Sequence, residues 1–340
     1  MSKINYETTI IDNVIRLRID IPFDVKFVCV YLFELGGKRV LIDAGLHILP
    51  WKKIFLQELK KLKIHIRDID YCIVSHEHLD HCGLLKFFKR KNPEMKILMH
   101  KFTEESLRLT SDPDNFKTMK ENAKEFSKDF IQYGMEPKYV KRVIQYFLLW
   151  PQLIRYVEPD LIIDEDSAVP IDSKSLECIW TPGHSIGHIC VFNPESSHLF
   201  SGDHILSRIT PHIGIYHQLS LVEPEHFYPN ILEKYLASLD KIELLSPNTI
   251  FPAHQEIIYN PLERIKEIKA HHQNRFKEIK NIIKDKPKTP YKISQLHFGT
   301  DLDDMNKYLA MNEVLGHLIY LENHGEVKRT KKDNKILFSS

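Results

Sequence analysis

Hydrophobic positions fall first into short runs and later into helical stripes. Residues 14–19, 26–33 and 39–43 are apolar or alternating runs of strand length, and Gly36-Gly37 between the last two predicts a hairpin. Trp51, Phe55, Leu59 and Leu62 recur at helical spacing and predict a helix over 51–64. An apolar run at 69–74 reads as a strand, and 84–88 as the start of another helix. From 101 to about 158 the pattern becomes charged and amphipathic, predicting long helices that include 116–133 and 137–150, the last ending on apolar residues. Strand signals resume at 161–163, 176–180, 189–192, 199–203 and 249–253. Beyond them Ile265, Ile268, His272, Phe276, Ile279 and Ile283 form a helical stripe, followed by 293–296, a helix over 305–322, a Gly325 turn and two short strands. The pattern predicts an α/β chain with a helical insertion at about 101–160.

Composition narrows the class. With 340 residues the chain can bury a full core, and one large domain plus a small one is expected. A formal charge of +1 gives no overall pull toward nucleic acid or membrane. Cys29, Cys72, Cys82, Cys178 and Cys190 are scattered without a C-x-x-C pair, which speaks against a thiolate zinc site and a disulfide framework. A cytoplasmic location is expected, since the N-terminal residues lack an apolar signal core and no apolar run reaches membrane-spanning length.

The chemistry concentrates in His76-Glu77-His78-Leu79-Asp80-His81, just after the 69–74 run. Neutral imidazole and carboxylate donors suit zinc, iron or manganese, and a site without thiolates can keep positions open for water. His76 and His78, as alternate residues, can face one point while Asp80 and His81 turn to a neighbouring one, which suits two ions. Further candidates stand at later strand exits: His184 in Thr181-Pro182-Gly183-His184, Asp203 after Ser201-Gly202, and His254 after Pro252-Ala253. Asp43 ends another strand, either as a turn residue or to orient a ligand loop. The stretch following Asp203 offers Arg208, His212, Tyr216 and His217 as candidate substrate contacts.

These residues resemble the metallo-beta-lactamase-fold hydrolases. Their H-x-H-x-D-H motif is matched by His76, His78, Asp80 and His81, and the later motifs by His184, Asp203 and His254; Leu41-Ile42-Asp43-Ala44-Gly45 fits as well. The resemblance implies an αββα sandwich with two divalent metal ions, most simply zinc, with iron or manganese as alternatives. It implies that His76, His78 and His184 hold one ion, Asp80, His81 and His254 the other, and that Asp203 bridges them. It further implies hydrolysis by a metal-bridging hydroxide, with Asp80 as catalytic residue. His78 stands where flavodiiron proteins carry Glu, and Leu206 where the homoserine-lactone lactonases carry Tyr, which weakens those two readings.

Residues 1–260 are thus expected to form the catalytic domain, and 261–340, by their order of helices and short strands, a winged-helix-like domain. That tail is similar to the one in beta-lactamase-like proteins with endoribonuclease activity. The leading expectation is hydrolysis of a small ester, thioester or lactone. The alternatives are a phosphodiesterase or endoribonuclease guided by the tail, and a nucleic-acid-binding regulator with a structural metal site. A small-molecule substrate is the expected partner, nucleic acid is not favoured, and the apolar 146–150 stretch suits a homodimer.

Overall fold

The computed structural model describes residues 4–214 and 230–340, with the backbone alone at 150 and 151. The chain divides into two compact units: Met1–Ser111 with Ile154–Pro211 and Lys241–Arg264, and Asp112–Leu153 with His212–Asp240 and Ile265–Ser340.

In the first unit the chain runs through β1 (Tyr6–Ile11), β2 (Val14–Asp20), β3 (Phe27–Leu35) and β4 (Lys38–Ile42), joined as antiparallel neighbours. Helix α1 (Leu49–Lys61), strand β5 (Tyr71–Ile73), the short α2 (Leu79–Cys82), α3 (Leu85–Lys91), β6 (Lys96–His100) and α4 (Lys101–Ser111) follow. α1 begins at Leu49, earlier than its apolar spacing predicts, because Pro50 fits a first helical turn that needs no N–H donor.

The second unit then takes α5 (Phe116–Gln132) and α6 (Pro137–Leu149). Back in the first unit come β7 (Leu161–Ile163), β8 (Ser167–Ile171), β9 (Lys174–Trp180), β10 (Ile189–Asn193) and β11 (His198–Gly202). After α7 (Ile231–Leu245), strand β12 (Thr249–Pro252) completes the strands of that unit. Among the described residues they form two mixed sheets, β1-β2-β3-β4-β5-β6-β7 and β12-β11-β10-β9-β8. The step from β4 to β7 is parallel, as is the β11–β12 pair.

The two sheets bury a common core. Phe33 of β3 stacks on Phe200 of β11 at a centroid distance of 4.8 Å, and Tyr31 meets Phe200 at 5.6 Å and Phe251 at 5.5 Å. Such ring pairs add about 0.5–1.5 kcal/mol each beyond the apolar area they bury. The Tyr31 hydroxyl donates to Pro252 O at 2.5 Å, and Cys29 N–H to Ala253 O at 2.7 Å. The same packing that closes the sandwich therefore fixes the end of β12, two residues before His254. On the other side of β4, Gly45 adopts φ +67, and a Cβ there would lie 2.1–2.7 Å from the ring of Trp51. Glycine lets α1 lie flat against the turn that carries Asp43.

The second unit is mostly helical. Phe130 of α5 and Phe147 of α6 pack on Tyr308 at 5.2 and 5.3 Å, which joins the 112–153 helices to α10 (Asp304–Asn323). α8 (Pro261–Ile283) is held to α10 by His272 Nδ1 and His317 Nε2 at 3.0 Å and by the Arg275–Glu313 ion pair at 2.5 Å. α9 (Pro290–Phe298) starts on Thr289, and the hairpin β13 (Lys328–Lys332) and β14 (Lys335–Ser339) closes the chain.

β1, β6, β8 and the fifteen-residue α7 lie outside the elements that the hydrophobic pattern predicts. β1 is an edge strand whose Thr-rich, partly exposed residues give little alternation. β6 and β8 are five-residue strands, too short for a distinct period.

Candidate metal centre

The cluster His76–His81 follows β5, where the chain leaves the first sheet. His76 and His78 lie in the extended exit, His78 at φ −65, ψ 147 as the N-cap of α2; Asp80 and His81 form the first turn of that helix. Extended spacing followed by helical turn is what splits four consecutive motif residues between two points. His184 sits in the β9–β10 loop, Asp203 just past β11, and His254 just past β12, all at exits of the second sheet.

The side chains form two groups. His76, His78, His184 and Asp203 make one, Asp80, His81 and His254 the other, and within each group one ligand atom per residue lies within 4.8 Å of every other. In the first, His78 Nδ1 is 2.9 Å from His76 Nε2 and 3.1 Å from His184 Nε2. In the second, His254 Nε2 is 3.5 Å from Asp80 Oδ2, and His81 Nε2 is 3.8 Å from the same oxygen. Asp203 serves both: Oδ2 is 3.4 Å from His184 Nε2, while Oδ1 is 3.3 Å from His254 Nε2 and 3.6 Å from His81 Nε2.

Supporting contacts fix which ring nitrogen faces inward. Asp43, buried and at φ +64, accepts Ser75 N–H at 2.7 Å and the Ser75 hydroxyl at 2.9 Å, and takes His81 Nδ1–H at 2.8 Å. His254 Nδ1–H donates to Phe27 O at 2.5 Å. Both pairings leave Nε2 for the centre. His188, outside the predicted ligand set, accepts Asp203 N–H on Nε2 at 3.1 Å and meets Thr181 Oγ1 through Nδ1 at 2.8 Å. Gly202, at φ +49, makes room for it, since a Cβ there would be 2.6 Å from His188 Nε2.

The electrostatics follow from this packing. Burial, reinforced by the neighbouring imidazoles, holds His76 and His78 well below the ordinary histidine value, so both stay neutral. Burial would lower His81 too, but the carboxylates Asp203, Asp43 and Asp80 outweigh it and hold the ring at about 10. His254 is raised against the same burial by Asp203 and Asp80. Asp203 lies well below the carboxylate range because His254 and His81 outweigh its burial.

The residues fit a pair of divalent cations. Two Nε2 atoms converge on His78 Nδ1, which as a neutral ring nitrogen can satisfy at most one of them. His81 Nε2 and Asp203 Oδ1 are buried without a hydrogen-bond partner. The donors are all nitrogen and oxygen, a set that accepts zinc, iron or manganese.

Of the candidate substrate contacts, Arg208 is exposed and its N–H donates to Gln255 Oε1 at 2.7 Å. His212 belongs to the second unit and is half-buried. Tyr216 and His217 lie outside the described residues. Ser75 escaped the sequence reading, although it adjoins His76 in the chain, and His188, left out of the ligand set, supports Asp203 instead. The Phe27 carbonyl carries no sequence signal at all.

Two candidate His/Asp metal sites sharing one carboxylate, at the edge of a two-sheet sandwich, are typical of a dinuclear metallo-hydrolase. The chain belongs to the metallo-beta-lactamase superfamily, whose family model matches residues 24–254; a further model, the metallo-beta-lactamase-like C-terminal domain, matches residues 276–339. It is similar to the probable metallo-hydrolase YqjP of Bacillus subtilis (strain 168), 24% identical over 97% of this chain and 98% of that protein. It is also similar to the atrochrysone carboxyl ACP thioesterase of Aspergillus fumigatus, 22% identical over 73% of this chain and 57% of that one. A beta-lactamase domain protein from Burkholderia ambifaria shares the fold with a TM-score of 0.81 at 23% identity, covering 98% of this chain and 94% of its own. Among the described residues no helix is long and apolar enough to cross a membrane.

Proposed function

We propose that the protein is a dinuclear metal-dependent hydrolase, most simply a zinc enzyme, acting on a small ester, thioester or lactone. The observation that carries this reading is Asp203, whose two oxygens address different clusters. His76, His78 and His184 would hold one ion and Asp80, His81 and His254 the other, with Asp203 between them. Such ions supply Lewis acidity, easing deprotonation of water and drawing charge from the scissile carbonyl. The chain does the rest. Asp80 accepts a hydrogen bond from the attacking water and passes a proton to the departing oxygen or sulfur. Asp43 keeps the proton of His81 on Nδ1, so that Nε2 faces the reacting region.

The name of the Aspergillus relative supports an acyl thioester within this substrate class. A second reading, phosphodiester or RNA cleavage, draws on β13, whose Lys328-Arg329-Thr330-Lys331-Lys332 is exposed throughout. All five cysteines are free and buried, which supports a reducing, cytoplasmic setting.

The test is a panel of an aryl ester, a thioester, a lactone, a phosphodiester and a single-stranded RNA, given to metal-loaded protein and to the His76→Ala variant. Turnover of an acyl substrate that disappears in His76→Ala is expected. Cleavage of the phosphodiester or RNA with a silent acyl panel would transfer the case to the second reading.

A further inference from the structure

We infer that Glu77 is a positioning residue for the first cluster, holding the loop that presents His184 through a hydrogen bond from Ser185. The inference rests on the reading that His76, His78, His184 and Asp203 hold a cation. Glu77 stands in sequence between two of these residues and is half-buried. Its Oε2 accepts the Ser185 hydroxyl at 2.5 Å, across 108 positions of chain.

Ser185 is a sensible place to hold this loop. It is fully buried, and its carbonyl accepts N–H groups from both Gly183, at 3.2 Å, and His188, at 3.4 Å, so the turn folds around it. Two other contacts fix the far half of the loop. Trp180 Nε1–H donates to Ile186 O at 2.7 Å, and Thr103 Oγ1–H to Gly187 O at 2.9 Å. Gly187 is pressed so closely that a Cβ would fall 2.4 Å from Thr103 N. The Glu77 contact reaches the residue adjoining His184 itself, and does so from the segment that carries His76 and His78. That bond, with Ile189 N–H to Ser75 O at 2.9 Å, ties ligands from different sheets together.

The experiment titrates the metal-free full-length protein with Co2+, reading visible absorbance and competition with a chelator, in the absence of substrate. Loss of an outer partner of a metal ligand typically costs 10–100-fold in affinity. Ser185→Ala and Glu77→Met, the latter similar in size but without an acceptor, are expected to weaken one of two Co2+ sites about 10-fold or more and to alter its spectrum. Glu77→Gln keeps a carbonyl acceptor and is expected to restore most of that affinity. Wild-type affinity at both sites in Ser185→Ala and Glu77→Met would overturn the proposal. So would a Glu77→Gln protein as weak as Glu77→Met, since the charge and not the bond would then matter. Wild-type protein that takes up no Co2+ removes the metal reading and this inference with it. Wild-type protein that binds two ions but hydrolyses nothing removes the hydrolase reading alone.

Discussion

At the residue scale, the centre depends on groups that never reach a substrate. Asp43 is the clearest: one buried carboxylate takes a backbone N–H, a hydroxyl and an imidazole N–H. Asp43→Ala frees the His81 ring to turn and leaves Ser75 N–H buried without its acceptor. Equilibrium dialysis should show metal affinity at the second cluster falling about 10–100-fold, with a smaller change at the first. An unchanged affinity would mean that packing alone orients His81. The ligand residues themselves stand out in the sequence because imidazole and carboxylate rarely crowd together without a chemical reason. Their supports are less visible. Ser75 looks like any serine, and the carbonyl of Phe27 is common to every residue; only the fold brings it to His254.

At the element scale, periodicity revealed what is long or fully buried. β3 reads as an apolar run because it is covered on both faces, and α1 shows its buried stripe of Trp51, Phe55 and Leu59. The short strands β1, β6 and β8 escape, since five or six residues hold too few periods to be told from a loop; α7 escapes although Ile231, Tyr235, Leu239 and Ile242 form its buried stripe. The helix ends obey local capping rules. Asp303 caps α10 by accepting Asn306 N–H at 2.8 Å, and that hydrogen bond holds its carboxyl below the usual range. Asp303→Ala should lower stability by about 1 kcal/mol, read as a shifted denaturation midpoint with an unchanged slope. Asp303→Asn, a cap without charge, should recover most of it.

At the scale of the whole molecule, the second unit carries a liability to acid. Burial holds His272 at about 3, and His317, beside it, is also pushed well below its ordinary value by burial and by His272. In the unfolded chain both rings take up a proton near pH 6.5. Stability is therefore unaffected by these rings above that pH and falls as the pH drops through the window from about 6.5 to about 3. At pH 5 His272 alone costs on the order of 2 kcal/mol. Chemical denaturation at pH 7.5 and 5.0 should show the loss, and His272→Phe should show less of it. Equal losses in both proteins would place the sensitivity elsewhere.

Each cluster draws His76, His78, Asp80 or His81 from the exit of β5 and its remaining residues from the second sheet. This has a consequence for how the protein is made. Synthesis delivers the first motif long before Asp203 and His254, so the emerging chain can offer an ion only a partial ligand set. The first group is incomplete until β11 has been made and docked against β3, and the second until β12 has been. If the two groups hold ions as proposed, the second ion is the later to be taken up, and a chain truncated before His254 should bind one Co2+ rather than two.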